Sequence, residues 1–142
     1  YVMSRIGGRG NRSTELALAL AFRREGLIGW RRHIRMKPKL AQVDLASFVG
    51  SSRITVRPDF IFRAARVAVF VDGCFWHVCP VHSKMPATNV EFWRKKLEGN
   101  VARDQRTTRA LAGVGWNVIR VWEHELVKMD IVLQRIRLAL GL

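Results

Sequence analysis

Val71-Asp72-Gly73-Cys74-Phe75-Trp76-His77-Val78-Cys79-Pro80-Val81-His82 leaves an apolar run and passes at once into metal-ligating and aromatic side chains. Both cysteines of the chain and two of its four histidines lie in this stretch. Cys74-x4-Cys79-x2-His82 offers three soft or borderline donors close together, the types that bind Zn2+. His124, beyond the next β-rich run, is the candidate fourth donor. A closed four-donor site would be structural: it would pin the loop to a sheet and perform no chemistry. The competing reading is two small buried hydrophobes beside surface histidines.

Outward from this loop, Pro58-Asp59-Phe60-Ile61-Phe62 and Arg66 to Val71 read as neighbouring strands joined by a short turn through Ala64-Ala65. Residues 30–36 suggest a further strand, and Lys37 to Arg57, with Gly50-Ser51-Ser52, a loop or hairpin excursion. Ser13 is placed to cap a helix to about Arg24, with Leu16, Leu20, Ala17 and Ala21 on one side and Gly26 as its stop. Downstream, Thr88 or Asn89 caps a long helix to about Ala112, which Gly113 to Gly115 ends. Trp116 to Trp122 is β-rich, and Asp130 to Leu140 reads as a closing helix with Ile131, Leu133, Ile136 and Leu140 apolar. The order α-β-β-β-α-β-α predicts an α/β fold, a mixed sheet flanked by helices. The 142 residues make one domain comfortably, with residues 1–12 as a flexible basic arm.

The 25 Lys and Arg against 11 Asp and Glu give a net charge of +14 and a pI near 11.5. Such an excess points to a polyanion, nucleic acid first and an anionic membrane second. The charge recurs from Arg5 to Arg109, so it reads as a folded basic face rather than a tail. No run approaches the roughly 18–20 apolar residues of a membrane span, and the N-terminus shows no signal-peptide core. Two cysteines so close in sequence make a poor disulfide framework, which favours a reducing, cytosolic setting.

A nuclease needs carboxylates that hold a divalent cation, which polarises a phosphate and acidifies water. Asp59, after a proline at a strand start, can project from the end of a sheet, and Glu15 and Asp104 can converge on it. The plain alternatives are a turn residue for Asp59, a first-turn helix acid for Glu15 and a surface ion pair for Asp104. His77 suits a general base or a zinc ligand, and spacing does not separate the two. Phe75, Trp76 and Trp93, the last flanked by Arg94, Lys95 and Lys96, form the basic-plus-aromatic pattern that stacks on or wedges between bases. Trp116, Trp122 and Phe92 are assigned to the core.

These residues resemble the very short patch repair endonucleases, bacterial enzymes that nick DNA beside T:G mismatches. The matching pieces are Met3-Ser4-Arg5-Ile6, Glu15-Leu16-Ala17-Leu18, Pro58 to Phe62, Val69 to His77, Glu91-Phe92-Trp93-Arg94-Lys95-Lys96, Asn100 to Asp104, and Gly115 to Glu123. The resemblance implies a restriction-endonuclease-like fold with Mg2+ as catalytic ion and Zn2+ as structural ion. It makes Asp59 the metal-binding aspartate, with the Val71 carbonyl as a second contact, and His77 the residue that activates water. Glu15 and Asp104 match supporting acids, and Phe75, Trp76 and Trp93 match a wedge that opens the duplex. It implies double-stranded DNA as substrate, mismatch-repair proteins as partners and a bacterial cytoplasmic, nucleoid-associated setting. A monomer is the default.

The chain also departs from that pattern. Many relatives carry histidine where Asp72 stands, so a second metal or weaker phosphate neutralisation is open. The zinc loop is shortened and the last family cysteine falls on His124, so Cys74, Cys79, His82 and His124 are expected to form a rearranged Cys2His2 set. Residues 37–57 look like an insertion. Two rival readings stay open: a site-specific or homing-type endonuclease on the same fold, and a catalytically inactive, zinc-stapled DNA-binding module.

Overall fold

The computed structural model describes residues 12–45, 52–81 and 84–142. The expected arm up to residue 11, the middle of the 37–57 excursion and His82 lie outside the described residues. The elements in chain order are α1 (Arg12–Arg24), β1 (Trp30–Arg32), α2 (Gln42–Leu45), β2 (Phe60–Phe62), β3 (Val67–Asp72), α3 (Val90–Gly113), β4 (Asn117–Trp122) and α4 (Met129–Leu140), with a 3-10 stretch at Glu123–Lys128. They form one mixed sheet in the order β1-β2-β3-β4. β2 pairs antiparallel with both β1 and β3, and β4 lies parallel to β3 after the α3 crossover. Among the described residues no helix is long and apolar enough to cross a membrane.

The two-residue period of the strands sorts the layers. Val67, Val69 and Val71 of β3 and Ile119 and Val121 of β4 turn to one face, where they meet Leu18, Ala19 and Phe22 of α1 and Val132, Leu133 and Ile136 of α4. Phe22 packs edge-on against Phe60 and Phe62, with centroids 5.1 and 5.5 Å away. The opposite face carries Ala68 and Ile61 against Leu111 and Trp116. The same alternation turns Phe70, Asp72 and Arg120 toward that second face, where α3 runs above them. Helical spacing then decides which α3 residues look down: Leu97, Asp104 and Leu111 follow each other at intervals of seven.

Several sequence expectations need correction. The buried residues of α1 are Glu15, Leu18, Ala19, Ala21 and Phe22, whereas Leu16, Ala17 and Leu20 are exposed. Of the expected face only Ala21 is buried, and the buried stripe lies on nearly the opposite side of the helix. Ser13 lies inside the helix rather than before it. Phe92, assigned to the core, is 61% exposed, and Ile131 of α4 is also outside. Asn89 does precede α3, but its backbone is left-handed (φ 54°) and its side chain makes no capping bond. The strand expected at residues 30–36 stops at Arg32, because His33 adopts φ 54° and breaks the pleat. Pairing resumes at Met36 opposite Val56 and Lys39 opposite Arg53, so the 37–57 excursion begins and ends as a loose hairpin. Asp44 of α2 fastens it to α3 through paired bonds to Arg109, at 3.0 and 2.6 Å.

Candidate active site and cysteine–histidine cluster

Asp59, Glu15, His77 and Asp104 share one open cleft of about 880 Å3 at the end of the sheet. Each arrives on a different element, so the shared cleft is a product of the fold and not of sequence proximity. Asp59 sits before β2, and its Oδ2 accepts the Val71 N–H at 2.7 Å. Burial pushes the Asp59 carboxyl up to about 7; the Val71 bond opposes this, while the nearby Glu15 charge adds to it. Glu15, itself buried, accepts Arg32 Nη2 at 3.1 Å and lies 2.6 Å from His33 Nε2. Donor atoms of Glu15, His33 and Asp59 all fall within 4.8 Å of one another. A buried carboxyl that resists ionisation beside a second acid is well suited to a divalent cation, which supplies the missing positive charge.

The other half of the cleft is organised around His77. Its Nδ1 bonds to Asp104 Oδ2, and Asp72 Oδ1 is 3.7 Å away. Burial works to lower the imidazole pKa, but the bond to Asp104 and the charges of Asp72 and Asp104 outweigh it, so the net shift is upward. With Nδ1 held by an acid, Nε2 is the ring atom placed to exchange a proton. Asp72, raised by burial, is restrained by Arg120, whose Nη1 reaches both its oxygens at 3.0 and 3.2 Å. Arg120 also donates to Thr108 Oγ1, Thr107 Oγ1 and the Asp104 carbonyl, at 2.8, 3.0 and 3.2 Å. Its guanidinium stacks 4.1 Å over Phe70, its paired neighbour across β3 and β4.

Beyond His77 the loop turns back, and Cys74 Sγ and Cys79 Sγ approach His124 Nδ1 to 3.3 and 3.6 Å. The two cysteines are buried and not joined in a disulfide. Burial, with Cys79 close by, pushes the Cys74 thiol up to about 11, so a thiolate there needs a cation to replace the proton. This donor set fits Zn2+. The Cys74 N–H donates to Glu123 Oε1 at 2.8 Å, a second tie between the loop and the segment after β4.

Phe75, Trp76 and Trp93 lie against one another, with centroids 5.1 to 5.8 Å apart. Trp76 Nε1 is buried without a protein partner. Of the three basic residues beside them, Arg94 is engaged by Glu91 at 2.6 Å and by Glu98 at 3.6 Å. Lys96 Nζ lies 5.8 Å over Trp76.

Sequence reading missed His33, Arg120 and the Asp44–Arg109 tie. Arg120 was legible in principle, as a cation at an inward position of an otherwise apolar strand. His33 carried no sequence signal, because nothing in residues 30–36 marks where the strand breaks.

Comparison with known proteins adds an independent line. The family described as DNA mismatch endonuclease Vsr matches residues 32–83, which hold Asp59, Val71 and the whole loop with His77. The type II nicking enzyme V.NmeDIP of Neisseria meningitidis serogroup C is 39% identical over 100 residues, covering 65% of this chain and 68% of that protein. The chain belongs to the DNA mismatch endonuclease Vsr family. The type II nicking enzyme V.NaeI of Lentzea aerocolonigenes is 54% identical over 72 residues, 51% of this chain and 43% of that enzyme. DNA mismatch endonuclease Vsr of Escherichia coli is 40% identical over 90 residues, 63% of this chain and 58% of that enzyme. The chain thus spans less than half of V.NaeI and under two thirds of the Escherichia coli enzyme. Its four-stranded mixed sheet with helices on both faces fits the restriction-endonuclease-like fold.

Proposed function

We propose that this chain is a DNA endonuclease that nicks one strand of a duplex beside a T:G mismatch. The observation that carries the reading is the convergence of Asp59, Glu15, His77 and Asp104, from four separate elements, on one cleft of about 880 Å3. Asp59 would hold the catalytic Mg2+, with the Val71 carbonyl as a further contact and Glu15 beside it. When bound, the ion polarises the scissile phosphate and lowers the pKa of water. His77 would accept a proton at Nε2 from the attacking water, and Asp104, bonded to Nδ1, keeps the ring turned for the task. The basic surface supplies the sequence-independent attraction to phosphates.

In this reading Phe75, Trp76 and Trp93 form the wedge that parts the base stack next to the mismatch. The unpartnered Trp76 N–H and the half-exposed cluster suit rings that rearrange against bases. Structural Zn2+ on Cys74, Cys79 and His124, with His82 as the fourth ligand, fixes the loop that carries Phe75, Trp76 and His77. The setting is the bacterial cytoplasm, with the chain acting as a monomer on nucleoid DNA alongside mismatch-repair proteins.

The test uses end-labelled duplexes with one T:G mismatch or the matched pair, Mg2+, and Asp59→Ala as control. A nick confined to the T strand of the mismatched duplex is the expected result. Cleavage of the matched duplex at one sequence would assign the chain to site-specific cleavage instead. Binding of both without any cut would make it an inactive DNA-binding module.

A further inference from the structure

We propose that His33 is a third side-chain donor of the cleft's cation site, beside Asp59 and Glu15, and that the site therefore holds Mn2+ more tightly than Mg2+. The inference rests on the reading of this cleft as a nuclease centre. Three observations carry it. First, His33 Nε2 lies 2.6 Å from Glu15 Oε1, and the three donor atoms fall within 4.8 Å of one another, the spacing of groups that share one ion. A cation entering here would take the place of the hydrogen bond between them.

Second, His33 keeps a left-handed backbone, φ 54°, although it has a Cβ. That conformation is disfavoured for a residue with a Cβ and persists where the surroundings impose it. Its effect is local: it ends β1, ties the His33 N–H to the Asp59 carbonyl at 3.3 Å, and places the ring at Glu15. A regular strand would have carried that side chain to another position in the pleat.

Third, an ordinary ion pair does not account for the arrangement. Glu15 Oε1 already accepts Arg32 Nη2 at 3.1 Å, so its charge is answered without His33. Burial of Asp59 beside Glu15 leaves two acids within reach of one ring nitrogen, a mixed oxygen and nitrogen set. Mg2+ favours an all-oxygen shell and gives up water reluctantly, whereas imidazole suits transition-metal ions. The preference for Mn2+ follows from that difference.

The experiment titrates Mn2+ alone and Mg2+ alone into the native protein, His33→Asn and Asp59→Ala, by calorimetry, with pulsed EPR of the bound Mn2+. Asparagine tolerates the left-handed backbone and is too short to replace the ring, and a thermal melt checks that each variant folds. In the native protein Mn2+ binds more tightly than Mg2+ and shows nitrogen coupling. In His33→Asn that coupling disappears, Mn2+ affinity drops by about tenfold or more, and Mg2+ affinity changes less. Unchanged Mn2+ affinity in His33→Asn overturns the inference, as does an equal loss for both ions, which would make His33 a support for Glu15. If Asp59→Ala also binds Mn2+ like the native chain, the nuclease reading of the cleft fails with it. Loss in Asp59→Ala but not in His33→Asn leaves that reading standing and removes His33 alone.

Discussion

Among the described residues two groups of side chains could hold a cation, and they differ in donor type and in placement. Cys74, Cys79 and His124 are soft donors, two of them buried, drawn from segments that follow β3 and β4. Glu15, His33 and Asp59 are harder donors at the wall of an open cleft, and one of them is exposed. An ion enclosed by thiols has no position left for substrate; an ion on carboxylates at a cleft wall does. On the function proposed above, the first group would staple a loop, and the second is where chemistry would occur. The lesson is that placement separates the roles, since both groups are cation sites by composition.

The sharpest way to break that contrast is to remove one donor from each. Asp59→Ala is expected to lower the nicking rate by several kcal/mol of transition-state stabilisation, roughly a thousandfold or more, while zinc content and melting temperature stay near native. His77→Ala should cost about a hundredfold or more. The native rate should fall as pH drops through a value above the ordinary histidine pKa, because the ring is shifted upward and only its neutral form accepts a proton. Cys74→Ser should do the reverse of Asp59→Ala: lost zinc by elemental analysis and roughly 3 kcal/mol of stability lost in denaturant. A Cys74→Ser protein that retains zinc would take Cys74 out of the ligand set.

What the sequence made legible follows the same division. The strands around Asp59 and Val71, the long α3 and the loop from Cys74 to His77 could be read because apolar runs, turn residues and ligand spacing are local signals. The acids were harder. Glu15 and Asp104 each sit in a helical stripe that is otherwise apolar, Glu15 with Leu18 and Phe22, Asp104 between Leu97 and Leu111. That pattern distinguishes a site acid from a surface acid only if the buried face is known, and the expected α1 face lay on nearly the opposite side of the helix. His33 and Arg120 owe their places to a backbone break and a cross-strand register, which no window of sequence contains.

A gentler probe of the cleft exploits pH. Asp59 titrates near 7 in the folded chain against 3.8 ordinarily, so its ionised form is disfavoured by folding. Such a group destabilises the fold increasingly as pH rises from about 4 through about 7. Asp59→Asn removes that charge while keeping an acceptor for the Val71 N–H. In metal-free buffer it should be more stable than native at pH 8, by on the order of 2 kcal/mol, with the difference fading toward pH 4. Added Mg2+ should narrow the gap by stabilising the native chain alone. A native protein as stable as Asp59→Asn at pH 8 without metal would show that this carboxyl is not strained by burial.

The smallest expected effect concerns the loop that the cysteine cluster holds. Arg94 is already engaged by Glu91 and Glu98 on the α3 surface, whereas Lys96 reaches over Trp76. If the aromatic face meets DNA, a phosphate there is neutralised by Lys96 rather than by Arg94. Lys96→Ala should therefore reduce the slope of log affinity against log salt by about 1, the signature of one lost phosphate contact. Arg94→Ala should leave the slope unchanged and alter stability by no more than about 0.5 kcal/mol, as exposed helix pairs do. Equal slopes for Lys96→Ala and the native chain would move the phosphate path away from Trp76, and the cluster would then brace His77 without presenting a DNA-binding face.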